Sequence, residues 1–116
     1  MTFETEIMLR HDARVFTETI DHPVDAAAWS DHDVEVVLMQ ILRAVDRRLN
    51  PGGPPDRPIA LRGITWIVHA GPAGHVLALE IHSASAVAGP FDLPVEQLDG
   101  MVSRVVRAAS APQVVH

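Results

Sequence analysis

The fold is decided by residues 64–81, which read ITWIVHAGPAGHVLALEI. Two β-rich runs, residues 59–69 and 75–84, flank the turn Gly71-Pro72-Ala73-Gly74, and this arrangement predicts a β-hairpin. In the simplest register Ala70 faces His75, and the pairing runs outward from there. One face of the hairpin then carries core side chains, which are Ile64, Trp66, Val68, Leu77, Leu79 and Ile81.

The opposite face of this hairpin carries the polar side chains. Its members are Thr65, Ile67 and His69 on one strand, opposite Val76, Ala78, Glu80 and His82 on the other. A slip of one residue in the register would exchange the two faces, so the assignment depends on the turn.

A second hairpin is predicted at the start of the chain. Residues 3–10 and 14–20 alternate between apolar and polar side chains, and His11-Asp12-Ala13 supplies the turn between them. The face expected in the core carries Phe3, Ile7, Leu9, Phe16 and Ile20.

The long helix is predicted to start near Ser30 and to run to about Leu49. Ser30 is a suitable N-cap, and acidic residues in the first turn favour the helix dipole. The apolar stripe consists of Val34, Val37, Leu38, Ile41, Leu42, Val45 and Leu49, and Val36 and Met39 widen it. Before the helix, Asp25 is a candidate cap for a short helical turn through Ala26, Ala27 and Ala28.

The remaining segments are predicted as loops and a final helix. Residues 51–58 contain glycines and prolines and predict a crossover loop, while residues 85–93, rich in small side chains, predict a second loop. Asp92 is the expected cap of the last helix, with Pro94 in its first turn. Residues 108–116 are expected to fray.

These elements predict one α+β domain over residues 1–116, in the order ββαββα. We expect a four-stranded antiparallel sheet with both helices on one face. The other face would carry apolar side chains, namely Met8, Val15, Ile67, Val76 and Ala78. That surface, or the wide stripe of the long helix, predicts a homodimer.

The composition excludes several kinds of chemistry. The 116 residues include no Cys and no Lys, so thiolate catalysis, disulfides, Cys-ligated zinc and Schiff-base formation are excluded. The net charge is −6 and the arginines are scattered, so no nucleic acid is expected as a partner. No apolar run is long enough to predict a membrane span, and no signal peptide is visible, so a cytoplasmic location is expected.

The candidate site residues are polar groups on the second hairpin. They are His69, Glu80 and His82, with Thr65 nearby. Imidazole and carboxylate groups are the side chains that bind metal ions, or that form a general base oriented by an acid. The two histidines lie near opposite ends of the hairpin, and no compact ligand pair is present. We therefore expect no metal and no cofactor, and interpret these residues as polar positions that contact a substrate.

Two further residues have a functional and a structural interpretation. His32 lies between Asp31 and Asp33 at the start of the long helix, where backbone amides could bind an anion, although plain capping explains the same pattern. Trp29 could line a ligand site, or it could cover the helix start. Neither a nucleophile elbow nor a dinucleotide fingerprint is present.

The chain resembles one family of small enzymes. It shares with them a small size, an acidic character, a single Asn with no Lys, and the absence of a catalytic motif. These enzymes close the lysinoalanine bridge of duramycin- and cinnamycin-type lanthipeptides. The resemblance is one of overall character and assigns no site residue. It implies a dimer that folds a modified peptide, in which a hydroxylated Asp of the peptide acts as base when its Lys adds to dehydroalanine.

The sequence thus predicts a small dimeric protein that binds and preorganises a peptide or natural-product substrate. Positioning alone lowers a reaction barrier, so such a protein could form a lysinoalanine crosslink without its own catalytic set. One alternative is a non-catalytic acidic interaction module, such as an immunity protein or a secretion chaperone. The other is a metal-dependent enzyme that uses the histidine cluster.

Overall fold

The computed structural model of the protein describes residues 1–54, 57–61 and 63–110. The strands are β1 (Thr2–Leu9), β2 (Val15–Asp21), β3 (Thr65–Gly71), β4 (Gly74–Ile81) and β5 (Ala84–Phe91). The helices are α1 (Asp31–Leu49) and α2 (Val95–Ser110), and one 3-10 turn spans Ala26–Ala28. The strands form one antiparallel sheet in the order β2-β1-β5-β4-β3. The predicted α+β class is confirmed.

The first hairpin is confirmed with its predicted faces. Ile7 pairs with Phe16 and Phe3 pairs with Ile20, so these side chains point to the same side of the sheet. Phe3, Ile7 and Ile20 are buried, whereas Leu9 and Phe16 are partly buried at the margin of the core. The alternation of apolar and polar residues was sufficient to predict the two faces, because one face of the hairpin is covered and the other meets solvent.

The start of α1 is also confirmed. The hydroxyl of Ser30 accepts a hydrogen bond from the backbone N–H of Asp33, and the Asp33 carboxylate accepts one from the backbone N–H of Ser30. This reciprocal pair satisfies two donors that a helix start otherwise leaves free. The short helical turn after Asp25 is present as well, although the Asp25 side chain makes no capping bond to it.

The second hairpin keeps its predicted register but not its predicted length. Ala70 pairs with His75, and Trp66 with Leu79, as the turn geometry requires. The predicted strand over residues 59–69 begins only at Thr65, and the predicted strand over residues 75–84 ends at Ile81. Of the predicted loop over residues 51–58, residues 55 and 56 lie outside the described part of the chain.

The predicted loop over residues 85–93 is wrong, because most of it forms β5, the central strand. The order is therefore ββαβββα, with five strands instead of four. β5 pairs with β1 on one side and with β4 on the other, so its backbone is hydrogen-bonded along both edges. Ala84, Ala86 and Ala88 point into the core, where their small side chains leave room for the helices.

Both helices cover the same face of the sheet. α1 lies against β1, β2 and β5, α2 lies against β3, and the helices contact each other. α2 begins at Val95, one residue after Pro94, and continues to Ser110. The prediction that residues 108–116 fray is therefore wrong for residues 108–110, and residues 111–116 lie outside the described part of the chain. Within the described ranges, no helix is long and apolar enough to cross a membrane.

Candidate functional site

No helix or strand in the described part of the chain covers the face of the sheet opposite the helices, and we call it the open face. Its middle row runs from β2 to β3 through Thr17, Glu6, Val87, Ala78 and Ile67. The next row runs in the same direction through Val15, Met8, Ser85, Glu80 and Thr65. The remaining members are Thr2, Glu4, Thr19, Asp21, His69, Val76 and Gly89.

Large apolar side chains form a band across the open face. Ile67 is 66% exposed, Met8 54%, Val15 53% and Val87 42%. Single exposed apolar residues are ordinary, but these four lie in two adjacent rows of one sheet. Apolar surface that is gathered in this way marks a binding surface more often than chance exposure does.

The charged side chains that the five strands place on the open face are all negative, while Arg10, directly after β1, lines a depression at its edge together with Glu80. Glu4, Glu6, Asp21 and Glu80 belong to this face, and none of the five strands contains an arginine. Most described arginines lie instead on the helices, as Arg43, Arg47, Arg48, Arg104 and Arg107. Among the described residues none of these four carboxylates forms a salt bridge, although Asp21 accepts a hydrogen bond from the Thr2 hydroxyl. The open face therefore combines an apolar band with carboxylates, which suits a cationic and partly apolar ligand.

The structure brings together two of the residues predicted as a site. Thr65 and Glu80 are direct cross-strand partners, and both are exposed on the open face. His69 pairs with Val76, four residues before Glu80, so about 13 Å of strand separates it from that carboxylate. His82 lies in the turn between β4 and β5 rather than in the strand. Within the described residues, no group of three potential ligands could hold a metal ion.

Two shallow depressions of equal size mark the open face, besides a third of about 350 Å³ at its edge that is lined by Met8, Arg10, Glu80 and Ser85. One, of about 260 Å³, lies between Glu4 and Glu6 on one side and Val76 and Pro90 on the other. Gly89, opposite Glu4, is one of its lining residues, and a Cβ there would lie 3.0 Å from the carbonyl oxygen of His75. The other, also about 260 Å³, lies over Ala78 and Ser85, beside Thr65 and Glu80.

The two remaining predicted site residues lie away from the open face. Trp29 is 5% exposed, and its ring packs on Phe91 at a centroid distance of 5.0 Å. Its indole N–H donates to the carbonyl of Val24 at 2.9 Å, so both its apolar and its polar parts have partners in the core. His32 is exposed in the first turn of α1.

A partly buried pair of a histidine and an aspartate was not anticipated from the sequence. His22 is 5% exposed, and its Nε2 lies 2.9 Å from Oδ1 of Asp33. An ionised carboxylate only accepts hydrogen bonds, so Nε2 carries the hydrogen. The other ring nitrogen, Nδ1, has no hydrogen-bond partner among the described residues. The only sequence signal was the Ser30-x-x-Asp33 cap, which does not reveal a partner eleven residues upstream.

This network makes the stability of the protein depend on pH. Hydrogen bonds from the Ser30 backbone, from His22 and from the Ser30 hydroxyl lower the pKa of Asp33 from 3.8 to about 2. A lowered pKa contributes stability above the unfolded-state pKa, and the contribution is lost as the pH falls towards the folded-state value. We expect the difference in unfolding free energy between the wild type and Asp33→Asn to shrink from pH 5 to pH 2. Urea unfolding at several pH values measures it, and a constant difference would contradict this assignment.

A further cavity of about 330 Å³ lies at the C-terminal end of α1. It is lined mainly by apolar side chains, including Leu42, Leu49 and Ile81, with Asp46 and His82 among its polar residues. Asp46 already accepts a hydrogen bond from the Asn50 side chain at 2.9 Å. Ser83 is the third side chain with a polar group among the described residues that line this cavity.

Comparison with family models, with curated proteins and with solved structures found no match to the chain.

Proposed function

We propose that the protein binds a cationic peptide with apolar side chains on its open face and holds it in a reactive conformation. The observation that supports this proposal is the combination of the apolar band with Glu4, Glu6, Asp21 and Glu80 on one uncovered surface. Apolar burial supplies affinity, and the carboxylates select positive charge and orient it.

The reaction we propose for the bound peptide is the addition of its lysine amine to a dehydroalanine. The amine nitrogen forms a bond to Cβ of the dehydroalanine, the nitrogen loses a proton to a base, and Cα gains a proton. Nothing leaves, so the product is an isomer of the substrate. The chain supplies carboxylates that hold the amine, while the base belongs to the peptide; the role of the protein is then positioning.

The partner on the open face is proposed to be a peptide rather than a second copy. Two copies that met through this face would bring carboxylates of the same charge together, and like charges across an interface weaken it. The predicted homodimer therefore remains a proposal for another surface, such as α1. On that helix Val36 and Met39 are half-buried.

The first experiment separates binding from chemistry. A synthetic peptide that contains one lysine and one dehydroalanine is incubated with the protein. Because the crosslinked product has the same mass as the substrate, it is detected by the loss of thiol addition to dehydroalanine and by missing fragment ions within the ring. Binding without crosslinking would leave a non-catalytic binding module. Absence of both would overturn the proposal.

The second experiment tests the carboxylates. We expect the double variant Glu6→Gln/Glu80→Gln to bind the peptide about fivefold more weakly, because each exposed charge pair contributes a fraction of a kcal/mol. The matched control is Glu35→Gln/Glu96→Gln, which removes the same charge from exposed positions on the helices. Fluorescence anisotropy at low and high salt measures both. An equal loss in the two variants would show that only the net charge matters.

A further inference from the structure

The two edges of the sheet differ in how well they are protected. β2 and β3 are the edge strands, and each leaves one row of backbone N–H and C=O groups without a strand partner. Natural proteins block such edges with charges, prolines or covering side chains, because an unblocked edge pairs readily with another strand. A comparison of the two edges therefore shows which of them can pair with another strand.

The β2 edge is covered by charged side chains. Glu18 accepts hydrogen bonds from Arg47 at 2.9 Å and from Arg48 at 3.2 Å, which reach across from the end of α1. The guanidinium carbon of Arg48 lies 4.6 Å from the ring centroid of Phe16, and that of Arg14 lies 5.2 Å from it. A cationic strand that approached β2 would meet these arginines.

Strand β3 itself contains none of these devices, and no described arginine reaches across its edge as Arg47 and Arg48 do at β2. Its seven residues, TWIVHAG, contain no proline and no Asp, Glu, Lys or Arg. Thr65, Ile67 and His69 are exposed on the open face, and Trp66 and Val68 are only half-buried on the helix side. β3 is thus a long, uncharged and accessible edge strand.

Carboxylates flank the β3 edge on both faces of the sheet. On the open face, Glu80 is the cross-strand partner of Thr65. On the helix side, the indole N–H of Trp66 donates to Oδ1 of Asp99 at 3.0 Å, which places an exposed carboxylate of α2 beside the strand. Since side chains of a strand alternate between the faces, an added strand would direct residues towards each carboxylate.

From this arrangement we propose that β3 binds an extended cationic peptide as a sixth strand of the sheet. This inference rests on the proposed function and specifies how the peptide is held. The backbone of Thr65–Gly71 supplies the hydrogen bonds, and Glu80 and Asp99 attract positive side chains on either face. The net charge of −6 favours a cationic peptide at this edge over a second copy of the chain.

The experiment compares two peptides with identical side chains and charge. The first is an acetylated and amidated peptide of seven residues with two adjacent lysines at each end and valine or threonine between them, so that lysines point to both faces of the added strand. The second carries N-methyl groups on two consecutive central residues, which blocks both of its hydrogen-bonding edges. We expect the N-methylated peptide to bind about tenfold more weakly or worse, because several backbone hydrogen bonds are lost. Hydrogen exchange should slow at amides of β3, but not at those of β2, when the first peptide is added.

The outcomes distinguish this inference from the proposed function. Equal binding of both peptides, with unchanged exchange in β3, would leave docking on the open face intact and would overturn strand addition. No binding of either peptide would count against both proposals. Concentration-dependent protection of β3 without any peptide would show that a second copy occupies the edge, which also overturns the inference.

Discussion

Phe91→Ala is expected to remove about 3–5 kcal/mol of unfolding free energy, the range for truncation of a buried aromatic side chain. Phe91 is 1% exposed at the end of β5, and its ring lies 4.9 Å from that of Phe3 and 5.0 Å from that of Trp29. These three rings join β1, β5 and the segment before α1. Because the unfolding free energy of a small domain is about 5–15 kcal/mol in total, this one truncation would remove a large part of it.

Urea unfolding, followed by circular dichroism, measures this loss. The matched control is Val87→Ala in the same strand, where the side chain is 42% exposed on the open face. We expect the control to cost less than about 1 kcal/mol, since little apolar surface is buried there. If Phe91→Ala cost no more than Val87→Ala, the aromatic cluster would not be the junction described above.

Ala88→Leu is expected to destabilise the protein by about 1–3 kcal/mol or more, although it adds apolar volume. Ala88 is 1% exposed, and its neighbours across the sheet are Thr5 and Leu77, which are also buried. No space is available for three additional carbon atoms in a closely packed interior without displacement of the neighbouring side chains. The effect would show that β5 needs small residues because it lies in the centre of the sheet.

Ala78→Leu provides the control for this prediction. Ala78 lies in the middle row of the open face, next to Val87 and Ile67, so the larger side chain can extend into solvent. We expect a change within about 0.5 kcal/mol in urea unfolding. A similar loss in both variants would indicate that the strand backbone, and not the packing against the helices, is sensitive to leucine.

Much of the local structure could be predicted from the sequence. The pairing of Ala70 with His75 followed from a short turn between two alternating runs, and the start of α1 followed from Ser30 and Asp33. Both features depend on residues only a few positions apart. Interactions over such short distances along the chain are encoded in local patterns of polarity and backbone preference.

β5 could not be predicted in this way. Alanine, serine and glycine are uncommon in strands, so the run from Ala84 to Pro90 carries no local signal for one. It becomes a strand because β1 and β4 supply hydrogen-bond partners on both sides. The wrong loop prediction also hid the correct position of His82, which lies in the turn that connects β4 to β5.

The candidate site also combines features that the sequence predicts with features that it does not. The polar and apolar residues that face away from the core could be assigned strand by strand, since side chains alternate. The sequence could not show that β1 and β4 flank β5, which gathers Glu6, Val87 and Glu80 on one surface. It also could not show that β3 forms an edge, or that His22 contacts Asp33.

The sequence by itself therefore determined the register of the second hairpin, the buried face of the first, the main helix, the α+β class and the chemistry that the missing Cys and Lys exclude. Only the tertiary structure decided the order of the strands, and with it the composition of the open face and the free edge at β3. The physical reason is that strand pairing joins residues far apart in the chain. Its free energy depends on which partners meet in the folded state, and no short segment contains that information.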